Sequence, residues 1–149
     1  MKSTVQTFLP YPNFRATAGV LDRKRLGNQR TEALVILRAC HIPTYGWQNH
    51  PAVRMWRGYE EALISYGEAI CEQWTRLGYI DTMKDKLLAY APGGPQFQEQ
   101  LTSGGRVPPW LGDVRFHRSH QSALLRKDPG WYRQYFPDIP DDLPYFWPV

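Results

Sequence analysis

The feature that most constrains the fold is a stretch of apolar residues at helical spacing between Pro51 and Leu77. Its apolar positions, mostly three or four residues or a multiple of these apart, are Trp56, Tyr59, Leu63, Ile70, Trp74 and Leu77. Such spacing places them on one side of an α-helix. Proline suits the first position of a helix, and Gly78 is a natural C-terminal stop. The pattern predicts one long helix over 51–77 with a buried aromatic face.

Two further helices follow from the same kind of pattern. The apolar residues of 18–38 and of 113–127 recur at helical spacing, and 83–88 predicts a short helix. Pro10 and Pro12 exclude a helix at the start, and Gly and Pro interrupt 81–109. Strand alternation is absent. We predict an all-α, compact single domain over 1–149, with about three main helices, long irregular connections and an aromatic, proline-rich C-terminal tail.

The charge distribution favours a polyanionic partner. The formal net charge is +4, and residues 1–40 carry seven basic but only two acidic side chains. A basic region of this kind suits nucleic acid, although an ordinary basic surface gives the same count. Tyr and Trp are abundant, and some of these rings are available for stacking on bases.

The remaining composition indicates a cytoplasmic protein. Cys40 and Cys71 stand in apolar helical contexts without metal-type or redox-type spacing, as is typical of reduced, buried thiols. The first residues lack an apolar run of signal-peptide length, and no segment approaches a membrane span. We expect a cytoplasmic, nucleoid-associated protein without membrane contact and without an obligate protein partner.

One polar stripe on the first predicted helix carries candidate chemistry. Arg25, Asn28, Gln29 and Glu32 stand at i, i+3, i+4 and i+7, away from the apolar residues of the same helix. A carboxylate beside a guanidinium and two amides can act on a base, a sugar or a phosphate. A solvated helix surface has the same pattern, so both interpretations stay open at this point.

The sequence around this stripe resembles the pyrimidine-dimer glycosylase family. LDRKRLGNQRTEAL at 21–34 is similar to the first-helix segment of that family, without gaps. GWQNHPAVRMW at 46–56, RLGY at 76–79 and DPGWYRQYF at 128–136 resemble three later family blocks, in the same order. Two positions depart from the pattern: Thr31 replaces a common arginine, and Arg25 stands where the phage enzyme has a histidine.

The resemblance implies a compact helical fold and a glycosylase that is also an abasic-site lyase. In this register Glu32 falls on the catalytic glutamate of the family, and an N-terminal α-amine is the nucleophile. The segment before the first helix is longer than in the family. The amine is therefore assigned to Met1, with Lys2 or an alternative start near Val5 as the other choices. We predict no metal and no other cofactor.

Several side chains are predicted to contact double-stranded DNA. They are Arg23, Lys24, Arg25, Asn28, Gln29 and Arg30 on the first helix, Asn49 and His50 before the second, and Arg115, Arg118 and Lys127 on the third. His50 is equally well explained as a helix cap. His117 and His120, three residues apart, lack a third ligand in register for a metal site.

Three functions compete at this point. The first is a DNA repair glycosylase with lyase activity that excises a damaged pyrimidine through a Schiff base. The second is a catalytically idle DNA-binding protein of the same fold. The third is a hydrolase that uses Glu32 and Arg25 on a nucleotide or nucleoside. A covalent adduct trapped by borohydride would select the first.

Overall fold

Three long helices and five short ones build the part of the protein that the structure describes. The computed structural model describes residues 5–149. Its helices are α1 (Phe14–Val20), α2 (Arg23–His41), α3 (Pro51–Trp56), α4 (Glu60–Arg76), α5 (Lys84–Leu88), α6 (Gln98–Ser103), α7 (Val114–Lys127) and α8 (Pro129–Tyr132). No strand occurs among these residues. The predicted all-α class, with three main helices (α2, α4 and α7), is confirmed.

Helices α2 and α4 form the centre of the core. The two helices approach closely at Gly67, where an added Cβ would lie 3.3 Å from the Cβ of Ala33 and 2.7 Å from Leu87 Cδ1. The largest fully buried side chains of the described residues are Trp56, Tyr66, Tyr132, Phe14 and Phe116. Burial of such aromatic rings contributes most of the favourable free energy of a small domain.

Two of the predicted helices are interrupted. The helix predicted over 18–38 breaks at Leu21 and Asp22, both with extended backbone, because the Asp22 amide donates to the Tyr132 hydroxyl from across the molecule (3.0 Å). The helix predicted over 51–77 breaks at 57–59, where Gly58 has φ +94°. Leu77 lies beyond the end of α4 and is 53% exposed, so its predicted burial is wrong.

The first described residues form an irregular N-terminal segment (5–12) that lies against α2, α4 and α7. Val5 and Leu9 are fully buried, although the segment has no regular structure. Its backbone groups bond instead to side chains of the helices, which satisfies polar groups that burial would otherwise leave unpaired. The segment therefore belongs to the core.

The C-terminal tail packs on the outside of α7. Arg126 donates to the carbonyls of Asp141 and Leu143, and the Phe146 amide donates to the Ser119 hydroxyl. Beyond α8 the tail is irregular, as its prolines predict. No helix in the described part of the chain is long and apolar enough to cross a membrane.

Candidate active site

Gln29 on α2 holds the N-terminal segment in place. Its Oε1 accepts from the Phe8 amide (3.0 Å), and its Nε2 donates to the Gln6 carbonyl (3.0 Å). The buried Tyr66 hydroxyl, from α4, lies 2.7 Å from Gln29 Oε1 and 2.8 Å from the Phe8 carbonyl. The side-chain amide of Gln29 thus bonds the backbone of the segment at residues 6 and 8, on both sides of Thr7.

Glu32 lies one helical turn after Gln29 on the same face of α2. Residues three apart on a helix have neighbouring side chains, about 5–6 Å between their Cβ atoms. Glu32 is only 8% exposed. Burial raises the pKa of Tyr66 well above its usual value, and the charges of Tyr132 and Glu32 add to that effect. Glu32 therefore lies near enough to the buried Tyr66 hydroxyl to disfavour its ionisation, and this hydroxyl stays neutral.

The burial of Gln29 and Glu32 corrects the solvated-surface interpretation of the polar stripe. Gln29 is 2% exposed, and its amide is used on the N-terminal segment, so the DNA contact predicted for it is not supported by this geometry. Helical phase placed both residues on one face, as observed. The segment that covers that face comes from outside the helix, so the periodicity of the helix could not predict that the face is buried.

Arg25 is held at the beginning of α2 by a buried pair. Its Nη1 lies 3.2 Å from Oδ2 of Asp22, and the Tyr132 hydroxyl donates to the other carboxylate oxygen. Tyr132 is fully buried and Asp22 is 7% exposed. The bond to Asp22 holds the guanidinium of Arg25 in a fixed position. A fixed guanidinium is suited to contact a phosphate.

Arg30 points to a different side of α2. Its Nη1 lies 2.7 Å from Asp81 Oδ1, and its guanidinium lies over the Trp74 ring, 4.5 Å from the centroid. Hydrogen bonds from Arg30 and from two backbone amides outweigh burial and lower the pKa of Asp81 below its usual value. Arg30 links α2 to the loop after α4, so its predicted DNA contact is not supported by this geometry either.

The remaining predicted DNA contacts are exposed side chains at several places on the fold. They are Arg23, Lys24, Asn28, Asn49, Arg115, Arg118 and Lys127. Lys127 Nζ lies 5.9 Å from the ring centroid of Phe8 in the N-terminal segment. Arg115 lies over Phe146 of the tail, 4.5 Å from its ring centroid. Gln6 of the N-terminal segment bonds the same tail, since its Oε1 accepts from Tyr145.

His50 caps α3. Its Nδ1 accepts from the Ala52 amide (3.0 Å), and its ring contacts Trp47 and Trp147 edge-on. Trp47 has φ +70°, a left-handed backbone that a bulky residue rarely adopts. Of the two explanations that the sequence left open for His50, the capping contact is present, while a contact with DNA stays a prediction.

His117 and His120 bond to the backbone of the N-terminal segment. His117 Nε2 accepts from the Gly112 amide (2.9 Å), so its Nδ1 carries the proton and donates to the Leu9 carbonyl (2.8 Å). His120 Nδ1 accepts from the Leu9 amide (3.0 Å). Among residues 5–149, no three His, Cys, Asp or Glu side chains gather in a metal-binding arrangement. Cys40 and Cys71 are both free.

Glu32 does not line any of three clefts found in the described part of the chain. One of them, about 560 Å³, lies at the other end of α2, between His41, Tyr59, Tyr90 and Arg106. The other two lie around α6. Glu32 is only 8% exposed, so its site is nearly closed in this structure, and a nucleotide gains full access to the carboxylate only if neighbouring side chains move.

Four residues of the site were missed by the sequence predictions: Gln6, Tyr66, Tyr132 and Tyr145. Each acts through a contact between positions 37 to 139 residues apart. The predicted Met1 amine and Lys2 lie outside the described residues. Tyr132 lies in the DPGWYRQYF block, which resembles a family block, but that resemblance did not predict what Tyr132 does.

Comparison with known proteins matches one family. A family model described as pyrimidine dimer DNA glycosylase matches residues 5–87, more than half of the chain. The matched part includes the N-terminal segment, Gln29, Glu32 and His50, whereas α7, α8 and the tail lie outside it. No curated protein and no solved structure matches the chain.

Proposed function

The chain belongs to the pyrimidine dimer DNA glycosylase family, and we propose that it excises a damaged pyrimidine from double-stranded DNA and then cleaves the strand. The family supports DNA as the substrate and glycosylase chemistry. Strand cleavage as a lyase, and a pyrimidine dimer or other modified base as the lesion, are the finer parts of the proposal.

The observation that carries the proposal is the position of the N-terminal segment beside Glu32. Gln29 bonds residues 6 and 8 of the segment, and Glu32 is the next side chain along that face. Met1 precedes Val5 by four residues, and four extended residues span at most about 14 Å. On this proposal, that reach is what lets the α-amine meet the carboxylate that an amine nucleophile needs.

The chemistry proceeds in two stages. The neutral amine attacks C1′ of the damaged nucleotide, the glycosidic bond breaks, and the base leaves with the bonding electrons and takes up a proton. The attached amine then loses a proton, the C1′–O4′ bond breaks, and O4′ takes up a proton, which opens the sugar ring and forms the imine. The imine loses a C2′ proton, the 3′ phosphate leaves by β-elimination, and water hydrolyses the remaining imine to release the amine. An α-amine has a pKa of about 7.7–8.0, so a neutral fraction exists near pH 7. Glu32 stabilises positive charge at the sugar and transfers protons.

The exposed basic side chains supply the binding energy of the proposed complex. Arg23 and Lys24, with the partly exposed Arg25, lie in the first turn of α2, Arg115 lies in the first turn of α7, and Lys127 at the end of α7 lies near Phe8 of the N-terminal segment. Phosphate contacts of this kind position the duplex without reading its sequence. Extrusion of the nucleotide, which repair glycosylases require, would also open the closed site at Glu32.

The test is borohydride trapping on duplexes that carry a pyrimidine dimer or an abasic site. We expect a covalent adduct, and mass spectrometry of the labelled peptide identifies the amine as that of Met1, Lys2 or a start near Val5. Glu32→Gln keeps the size of the side chain and removes its charge. We expect it to slow strand cleavage at least about 100-fold while DNA affinity changes little.

Glu99→Gln on the exposed surface of α6 is the matched control and should cleave normally. Normal cleavage by Glu32→Gln would contradict the role of Glu32. The closed site favours one alternative, a DNA-binding protein without activity. Salt-dependent binding with no adduct on any lesion would select that alternative. Binding of a free nucleotide without duplex binding would select the hydrolase.

A further inference from the structure

Gln6 carries a buried polar atom without a partner. Its Oε1 accepts from the Tyr145 hydroxyl (3.0 Å), and its carbonyl accepts from Gln29. Its Nε2 is buried and has no hydrogen-bond partner among the described residues. A buried donor without an acceptor destabilises the fold, and native proteins contain few of them.

The orientation of the amide does not remove this cost. The oxygen and nitrogen of a glutamine side chain are assigned from the hydrogen-bond network. If the amide were turned over, Nε2 would donate to the Tyr145 hydroxyl and Oε1 would be left without a donor. One polar atom of the Gln6 side chain therefore lacks a partner in either orientation. When Oε1 accepts from the Tyr145 hydroxyl, the N–H donors of Nε2 point away from the tail.

The position of Gln6 connects this donor with the proposed site. The backbone carbonyl of Gln6 accepts from Gln29, which lies one helical turn before Glu32, and the Gln6 side chain bonds to Tyr145 of the tail. Gln6 therefore belongs to the segment that covers the face of α2 carrying Glu32.

We infer that Gln6 recognises the extruded base by donating a hydrogen bond from Nε2 to a pyrimidine carbonyl oxygen. The inference rests on the proposed function. A site built to hydrogen-bond a substrate group discriminates strongly against analogues that lack it. Gln6 would thus act on base release and have no role at an abasic site, where no base is present.

The experiment compares two substrates for each variant: a duplex with a pyrimidine dimer and a duplex with a preformed abasic site. Gln6→Met keeps the length of the side chain and removes the amide. We expect kcat/KM for base release to fall about tenfold or more, and cleavage at the abasic site to stay within about threefold of the wild type. A structural role of Gln6 would lower both activities together.

Gln121→Met is the matched control. Its Nε2 donates to the Pro10 carbonyl, so it also anchors the N-terminal segment, but its donor is satisfied within the protein. We expect this variant to affect both substrates equally. Tyr145→Phe is the second test variant, because it removes the partner of Gln6 Oε1 while the amide itself stays. It should lower base release more than abasic cleavage, even if Gln6→Met does not fold.

The outcomes separate the two proposals. If the wild type cleaves both substrates and the Gln6 and Tyr145 variants treat them alike, the role of Gln6 is wrong and the proposed function stands. If the wild type cleaves neither substrate, the proposed function is wrong and the role of Gln6 falls with it. A selective loss at the dimer supports both.

Discussion

Two histidines of α7 show how single residues anchor an irregular segment in the core. His117 is 5% and His120 is 1% exposed, and together they bond both polar backbone groups of Leu9. Burial lowers the pKa of His120 to about 3 and also lowers the pKa of His117. Both rings are therefore neutral in the folded protein at neutral pH.

Protonation of His120 should destabilise the fold in acid. Its pKa is about 6.5 in the unfolded chain and about 3 when folded, so the unfolded state binds more protons between these values. Its contribution is complete above about pH 6.5 and is lost as the pH falls toward 3, at up to about 1.4 kcal/mol per pH unit.

Urea unfolding at pH 7 and pH 5 measures this effect. His120→Asn offers an oxygen to the Leu9 amide but does not titrate. We expect the loss of stability between the two pH values to be about 2 kcal/mol smaller in this variant than in the wild type. Gln121→Ala, which also weakens the segment, should lower stability equally at both pH values. An unchanged pH dependence in His120→Asn would contradict the assignment.

Among the helices, the residues at the ends set the helix bounds, which apolar periodicity alone does not. Helix α4 ends in a two-bond C-terminal cap: the Gly78 amide donates to the Thr75 carbonyl (2.9 Å) and the Tyr79 amide to the Trp74 carbonyl (3.3 Å). Gly78 has φ +96°, which an L side chain rarely adopts. The stop predicted from the sequence at Gly78 agrees with the observed end of α4.

Gly78→Ala should lower the free energy of unfolding by about 1 kcal/mol. The cost is backbone strain alone, because a Cβ there would meet no atom within 4 Å. Gly19→Ala is the matched control, since Gly19 lies within α1 and also has open space around it. Alanine favours the helix there and should leave stability equal or raise it by up to about 1 kcal/mol. Equal effects of the two changes on thermal unfolding would contradict this account of the cap.

At the scale of the whole molecule, the N-terminal segment joins α2, α4 and α7. Trp56 Nε1 donates to the Thr7 hydroxyl (3.1 Å), which adds α3 to the same set. A segment bonded to four helices cannot leave its place without opening the core. Its stability should therefore be that of the whole fold, although its backbone has no helix or strand.

Hydrogen exchange of the backbone amides tests this cooperativity. We expect the amides of Phe8 and Leu9 to exchange as slowly as those in the middle of α4, through global unfolding. The amide of the 87% exposed Ile80 is the internal reference and should exchange on the order of 1,000-fold faster. Rapid exchange at Phe8 and Leu9 under native conditions would show that the segment opens independently of the helices.

Local sequence patterns were enough to predict the helical class, the bounds of α7, the stop at Gly78 and the common face of Gln29 and Glu32. All of these depend on residues within a few turns of one another, where spacing and backbone preference act directly. The resemblance of 21–34 to one family singled out Glu32, and the family match now covers that position.

The residues that cover that face could not be predicted from local patterns. The breaks at 21–22 and 57–59, the burial of Gln29 and Glu32, and the contacts of Gln6 all depend on partners far away in the sequence. The Tyr132 hydroxyl, 110 residues from Asp22, bonds the amide at the first break. Such contacts form because buried polar groups need partners, and any distant part of the chain can provide them. Local periodicity does not predict which part of the chain provides the partner.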